Sequence, residues 1–404
     1  MPRTLPSLAP RTFILGRQKA LVEPMRTLST LTLILALHSA AAAFEPTGNA
    51  VADTFLRAVE AAGFADARAA SVTREAGTTR LLGVAAGGEG GRQVAIKEVA
   101  IDAGLVNAAN ELKADALRYE DVALGSPAAP PFATIGEIHL ARVTLSGEKS
   151  GAGLPSLLGM FGTLSLQALS AQSATGDDLA LGRLALDLGD RVGDRQGGTG
   201  SIAVEGFQFA PELLGNDASA SLKALGYDTV QLSFEARGSW EAVAGDTTLE
   251  TAQLAIAGMG RLTLSLDATG LTQSAYQALR TTGADVPSIL EALGNVGLSR
   301  LTVTINDDGL TERIIATIAR ENGTTLEGVK SSARAAVAGL LAPLGDTPFA
   351  AKAQAAAEAF LASPGRMTLS AAPQETVTAL QLVSAAMLNP QTLPTLLAID
   401  VSAP

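Results

Sequence analysis

The chain has 404 residues, no cysteine, two histidines, and 29 Lys and Arg against 40 Asp and Glu, giving a formal net charge of −11 at pH 7. Without cysteine there are no disulfides, thiolate metal sites, cysteine nucleophiles or lipidated leader cysteines. The acidic balance argues against nucleic-acid partners and electrostatic docking on anionic head groups, and only 4% aromatic residues argue against a stacking platform for bases or sugars.

In chain order, the first signal is at the amino end. From Met25 the sequence reads MRTLSTLTLILALHSAAAAFEP: one Arg, an uncharged stretch from Thr27 to Phe44, then small residues before Phe44. That order predicts a secretory signal peptide beginning near residue 25, within a leader spanning 1–43, with Ala41 and Ala43 before the cut. Residues 1–24 carry Arg3, Arg11, Arg17, Lys19 and Glu23 without a clear pattern, which points to Met25 as the start, with Met1 the alternative. The rival reading is a retained anchor, but Thr27, Ser29, Thr30, Thr32, His38 and Ser39 dilute the apolar run below what a spanning helix of ~20 apolar residues requires. The expected location is periplasmic or secreted, with no stable transmembrane anchor. Removing residues 1–43 leaves 24 basic against 39 acidic residues, a net charge of −15.

The next segment, GNAVADTFLRAVEAAG, places Val51, Phe55, Val59 and Ala62 at three- and four-residue steps and predicts an amphipathic helix. Its flanks are not basic, so core packing is preferred over a membrane-surface role. Residues 44–210 then repeat one spacing, two apolar pairs separated by two residues. It occurs at Val94, Ile96, Val99, Ile101; at Leu117, Tyr119, Val122, Leu124; and at Ile138, Leu140, Val143, Leu145. Further copies are Leu164, Leu166, Leu169, Ala171; Leu179, Leu181, Leu184, Leu186; and Ile202, Val204, Phe207, Phe209. On a helix these positions scatter around the axis. On a strand the three-residue step changes face unless one residue is extra, which a β-bulge supplies while bending the strand. A parallel solenoid has similar repeat lengths, but the uneven spacing and the Gly/Pro-rich connections at 125–131 and 189–200 favour an antiparallel array.

Residues 211–310 continue the sheet, with strands expected through Val230, Leu232 and Phe234, through Leu254 and Ile256, through Leu262, Leu264 and Leu266, and over 298–306. Residues 311–404 predict a helical cluster with short terminal strands. Asp307 or Asp308 is placed to cap the helix LTERIIATIAREN, and Thr324 and Glu327 have capping-box spacing for the next. The expected class is α+β: a bent, largely antiparallel sheet with bulged strands and a carboxyl-terminal helical cluster.

Residues with chemical potential are few. His139 alternates with Ile138 and Leu140, so it projects from the polar face beside Glu137, where no local motif supplies a nucleophile or metal partner. Asp187, Asp190 and Asp194 lack the spacing of a calcium loop, and the Gly-rich run 85–91 lacks the Gly-Lys-Ser/Thr ending of a phosphate loop and reads as a hairpin turn. Capping explains Asp307 and Asp308 more simply than paired acid and base catalysis. No cofactor, metal site or catalytic residue is expected, and the chain reads as non-enzymatic.

The run from ALGYDTVQLSF through TTLETAQLAIAGMGRLTLSLDATGL, together with the tail from FLASPGRMTLSAAP to LLAIDVSA, resembles uncharacterised exported proteins of proteobacteria. The bent strands are loosely similar to AsmA-like envelope proteins, which are longer and usually keep an amino-terminal anchor. The resemblance implies an envelope location and transfers no site residues. Two functional classes follow. One is a protein that binds a lipid or other apolar ligand on a curved sheet, with Ile138, Leu140, Phe207, Phe209, Leu262 and Leu264 as candidate contacts. The other is a structural or partner-binding envelope protein whose apolar face is sealed by helices. An open face favours the first and a closed core the second.

Overall fold

A computed structural model describes residues 45–403, apart from 89, 90, 92, 127, 128, 147–159, 174, 175, 177, 190–196 and 282–292. The expected leader and its cleavage point, and Asp190 and Asp194, lie outside the described residues. Helix α1 (Ala50–Ala61) leads into β1 (Phe64–Arg68), β2 (Ser71–Glu75), β3 (Thr78–Gly88), β4 (Gln93–Asp102) and β5 (Leu105–Val106). There follow β6 (Glu111–Gly125), β7 (Ala133–Ser146), β8 (Thr163–Gln172), β9 (Asp178–Asp187) and β10 (Gly197–Phe209). Helix α2 (Asn216–Ala224) precedes β11 (Val230–Glu241), β12 (Thr247–Ile256) and β13 (Gly260–Thr269). Helix α3 (Gln273–Thr281) and β14 (Gly297–Asp307) come next, then α4 (Leu310–Asn322), α5 (Leu326–Leu341) and α6 (Pro348–Ala362). The chain ends with β15 (Arg366–Ala371), β16 (Val377–Thr378), α7 (Ala379–Leu388), α8 (Leu393–Leu396) and β17 (Ile399–Ser402).

The described strands form one open, antiparallel sheet. From β6 to β15 each strand pairs with its sequence neighbour, so hairpins build the layer one strand at a time. β2 and β1 lie along different parts of β3, β5 extends the line of β4 beside β6, and β17 closes the far end on β15. This is the α+β arrangement expected from the sequence, and its antiparallel pairing excludes the solenoid.

The repeated spacing takes a form that differs from an ordinary bulge. Leu82 pairs with Glu98 and Val84 with Ile96, so Gly83 and Lys97 face each other at the extra position and the register is unchanged across it. The same holds where Asp121 faces Lys97 and Gly136, and where Ala168 faces Gly136 and Gly182. Every strand from β3 to β10, short β5 apart, carries the insertion at the same level. Two residues therefore oppose two, not two against one. Left-handed backbone appears on alternate members of this crease: Gly83, Asp121, Ala168 and Gly206 have φ of 61°, 49°, 55° and 62°. Between them sit Lys97, Gly136 and Gly182. A Cβ on Gly182 would lie 3.1 Å from the Glu205 carbonyl oxygen, so this close approach favours glycine. The register does shift where creased β10 meets straight β11, between Val204 and Phe207, and again at single places in the pairings of β11 with β12, β12 with β13 and β13 with β14.

Helix α1 begins at Asn49, whose side chain accepts hydrogen bonds from the Val51 and Ala52 amides. Its apolar stripe lies on the sheet, as the sequence reading prefers: Phe55 packs 6.0 Å from Tyr119, and Leu56 and Val59 are sealed against Leu81, Val99, Leu117 and Leu140. At the other end, α4, α5 and α6 share a small core of Ile315, Ala319, Val329 and Leu361. Helix α6 packs on β15 and β17, and its Lys352 pairs with Asp400. Asp400 shares a sheet face with Ser370, whose side opposes that of Leu369 and Val401.

The caps refine two expectations. Asp307 accepts from the Gly309 and Thr311 amides and from the Thr311 hydroxyl, so it serves the start of α4 as expected. Thr325, not Thr324, caps α5 by accepting from the Gly328 amide. The Thr324 amide is engaged in closing α4 on the Ala319 carbonyl after left-handed Gly323, and Glu327 pairs with Arg334 instead of returning to the cap. A reciprocal capping box does exist, between Thr378 and Gln381 at α7.

Candidate functional site

Cross-strand pairing aligns the apolar positions of successive strands into rows across the sheet. One row runs Ile101, Leu117, Leu140, Leu164, Leu186, Ile202, Ala236, Ala252, Leu264, Val303, Leu369 and Val401. The next runs Val99, Tyr119, Ile138, Leu166, Leu184, Val204, Phe234, Leu254, Leu262, Ile305 and Met367. Beyond the crease, Val122, Ile135, Leu169 and Leu181 form a third, and Leu124, Ala133, Ala171, Leu179, Phe209 and Val230 a fourth. From β8 to β15 no charged side chain interrupts the first two rows.

Cover differs along these rows. Under α1 they form a sealed core that ends near Leu164. Farther on they are half-buried or open, with Leu262 43% exposed, Ile305 38% and Leu369 37%. At β14 the usual order is inverted: Thr304 on the opposite face is buried, and its hydroxyl lies 3.2 Å from that of Thr368. The carboxyl-terminal helices thus leave the aliphatic side of this strand the more accessible one.

A shallow cavity of about 250 Å³ opens on this face between β9 and β12, lined mainly by Leu186, Leu188, Ile202, Ala236 and Leu249. It sits where Gly200 pairs with Gly238, so that β10 and β11 place no side chain in the next row, which Leu249 continues on β12. The single tryptophan, Trp240, stands two residues beyond Gly238 on the same face; its indole donates to the Leu271 carbonyl at 2.6 Å and its ring lies 5.9 Å from Tyr276 of α3. Dispersion and exclusion of water are the forces such a surface offers; it carries few groups to orient a polar ligand or polarise a bond.

All six candidate contact residues share this face. Leu140 lies fully buried under α1 and Phe209 is buried, with the tilted ring of Phe207 5.2 Å from its own. Ile138, Phe207 and Leu264 are half-buried and Leu262 is exposed. Sequence spacing misses Ala236, Leu249 and Trp240, which the β11 register adds; the signal available was the pair Gly200 and Gly238, uninformative until the strands are aligned.

The opposite face is polar. Cross-strand ion pairs step along it, Lys97 with Asp121 at 2.9 Å, Arg118 with Glu137 at 3.3 Å and Arg183 with Glu205 at 3.2 Å, all solvated and therefore individually weak. His139 lies among them, half-buried, opposite Arg118 on one side and Ser165 on the other. Asp187 accepts from the Gly189 amide and lies 3.8 Å from Arg142. Among the described residues no three His, Asp or Glu gather as a metal-binding group. Burial pushes the Tyr119 phenol far up beneath α1, while hydrogen bonds from Lys223 and Lys352 hold the Glu212 and Asp400 carboxyls low. None of these groups lies on the open part of the apolar face.

A family model described as an uncharacterized protein matches residues 253–404, from within β12 to the carboxyl end. The matched segment holds the last four strands of the open face and the helices behind them. No curated protein and no solved structure matches the chain. Among the described residues no helix is long and apolar enough to cross a membrane.

Proposed function

We propose that the chain is an exported, non-catalytic envelope protein that holds an aliphatic ligand, a lipid acyl chain, on the uncovered part of its apolar face. The observation that carries this reading is the continuation of the same aliphatic rows from a sealed core into a half-open surface across β8 to β15. A structural protein with no ligand would gain by covering that surface, since each buried methylene contributes ~0.8 kcal/mol. The same figure makes a long acyl chain a strong occupant without any polar anchor. The acidic chain favours capture through the tail and not the phosphate. Export follows from the signal-peptide pattern before Phe44, and the likeness to exported proteobacterial and AsmA-like envelope proteins agrees with a periplasmic or secreted location.

Lipid extraction and native mass spectrometry of the protein from its own envelope test the reading directly. Co-purifying lipid is expected, together with a change in Trp240 emission when a fluorescent fatty acid is added, and Leu262→Asp should weaken that binding. A lipid-free protein that also fails to bind the probe at micromolar concentration reverts the face to the structural, partner-binding alternative.

A further inference from the structure

In the helical layer two stretches lack charge altogether. No Asp, Glu, Lys or Arg occurs between Arg334 and Asp346, or between Glu375 and Asp400, in a chain that is 17% charged. The fold brings the two stretches together. The 3-10 turns Ala342–Leu344 and Pro390–Thr392 lie against each other, and Gly345 abuts the Gln391 side chain. The end of α5 and the end of α7 therefore form one tip, and it presents Leu340, Met387 and Leu388 at 78%, 79% and 86% exposure. Helix α7 has no buried residue although its only polar side chains are Gln381 and Ser384.

We infer that this tip inserts into the interface of a lipid bilayer. Scattered exposed aliphatic side chains need no explanation, but three at one tip within charge-free sequence do. A protein-binding patch normally has a charged or polar rim that fixes its register. Here the neighbouring polar groups are the small neutral ones of Ser384, Asn389, Gln391 and Thr392, suited to the head-group zone. The chain's acidity gives no attraction to anionic lipid, so contact must come from apolar insertion, with Asp346, next to Gly345, the carboxylate nearest the tip in sequence. Helix α7 leaves the sheet directly from β16, which pairs with β14. Docking by the tip thus brings the open aliphatic face close to a source of acyl chains. The inference deepens the lipid-binding reading but does not require it, because insertion and ligand capture use different residues.

Sedimentation of the full chain with neutral phosphatidylcholine vesicles tests the tip. Binding is expected to persist at high salt and to gain nothing from added phosphatidylglycerol. The double variant Met387→Asp, Leu388→Asp should lower partitioning by at least about tenfold, the scale set by one inserted large aliphatic side chain. Both positions are solvent-exposed, so the fold should tolerate the change, and an unchanged melting curve confirms it. Fatty-acid probe binding should stay intact in this variant, and Leu262→Asp should show the reverse pattern. Vesicle binding unchanged by the double variant, including binding carried by the amino-terminal leader, overturns the inference. Absence of vesicle binding also overturns it, as does a concentration-dependent oligomer that the double variant dissolves without vesicle involvement.

Discussion

The sheet under α1 and the sheet from β8 to β15 share their strand pairing and their aliphatic rows, yet one is a core and the other a surface. Leu117 and Leu140 are sealed, while Leu262, in the neighbouring row and six strands beyond Leu140, is 43% exposed. The cause is one helix. α1 covers only the strands at its own end, and α6 packs on β15 and β17 with its Lys352 paired to Asp400 on the side opposite Leu369 and Val401. An aliphatic row on a strand therefore specifies a face, and whether that face becomes core depends on what the rest of the chain lays upon it.

The sharpest way to break this comparison is to put the same charge into both regions. Leu117→Asp, beneath α1, should cost about 4 kcal/mol or more, a large share of a typical domain's ~5–15 kcal/mol, and should prevent folding or melt the protein near ambient temperature. Leu262→Asp should cost less than about 1 kcal/mol, because its carboxylate reaches water. Denaturant midpoints compare the two. Equal losses would show that the open half is as sealed as the covered one.

A truncation in the covering helix is the next largest effect. Phe55 packs on Tyr119 and is almost wholly buried, so Phe55→Ala should destabilise by about 3–5 kcal/mol through lost contacts and a residual cavity. Urea unfolding measures this. A loss under about 1 kcal/mol would mean that α1 rests on the sheet without holding it.

Much of this difference was legible before the fold was known, and the illegible part has a physical reason. The two-residue steps gave the strands, and the stripe of Val51, Phe55 and Val59 gave the covering helix. Six residues chosen as candidate contacts all fall on one face because strand alternation is local. Which of them is covered is not local: Leu140 and Leu264 have the same neighbours in kind and opposite surroundings in space. That the extra residues line up as one crease is hidden for a similar reason. An inserted residue looks alike in one strand whether its partner carries a matching insertion or not, and only the pairing of Lys97 with the level of Gly83 and Asp121 distinguishes them. Register also conceals the notch at Gly200 and Gly238, and Thr325 displaces Thr324 as a cap because the end of the preceding helix claims the earlier residue.

The smallest expected effect lies on the polar side of the same strand that holds Leu140. His139 is half-buried among solvated cross-strand ion pairs, with Arg118 and Ser165 as its register partners. Arg118 is already paired with Glu137 at 3.3 Å, so removing the imidazole leaves no buried charge and breaks no sealed contact. His139→Ala should shift stability by no more than about 0.5 kcal/mol and leave fatty-acid probe binding unchanged, since it faces away from the aliphatic rows. Thermal melts and probe titration of this variant beside Leu140→Asp, one residue along and on the other face, make the comparison within a single strand. If the histidine change proves as damaging as the aspartate, the polar face carries a buried network and the division between a solvated side and an aliphatic side fails at its best-defined strand.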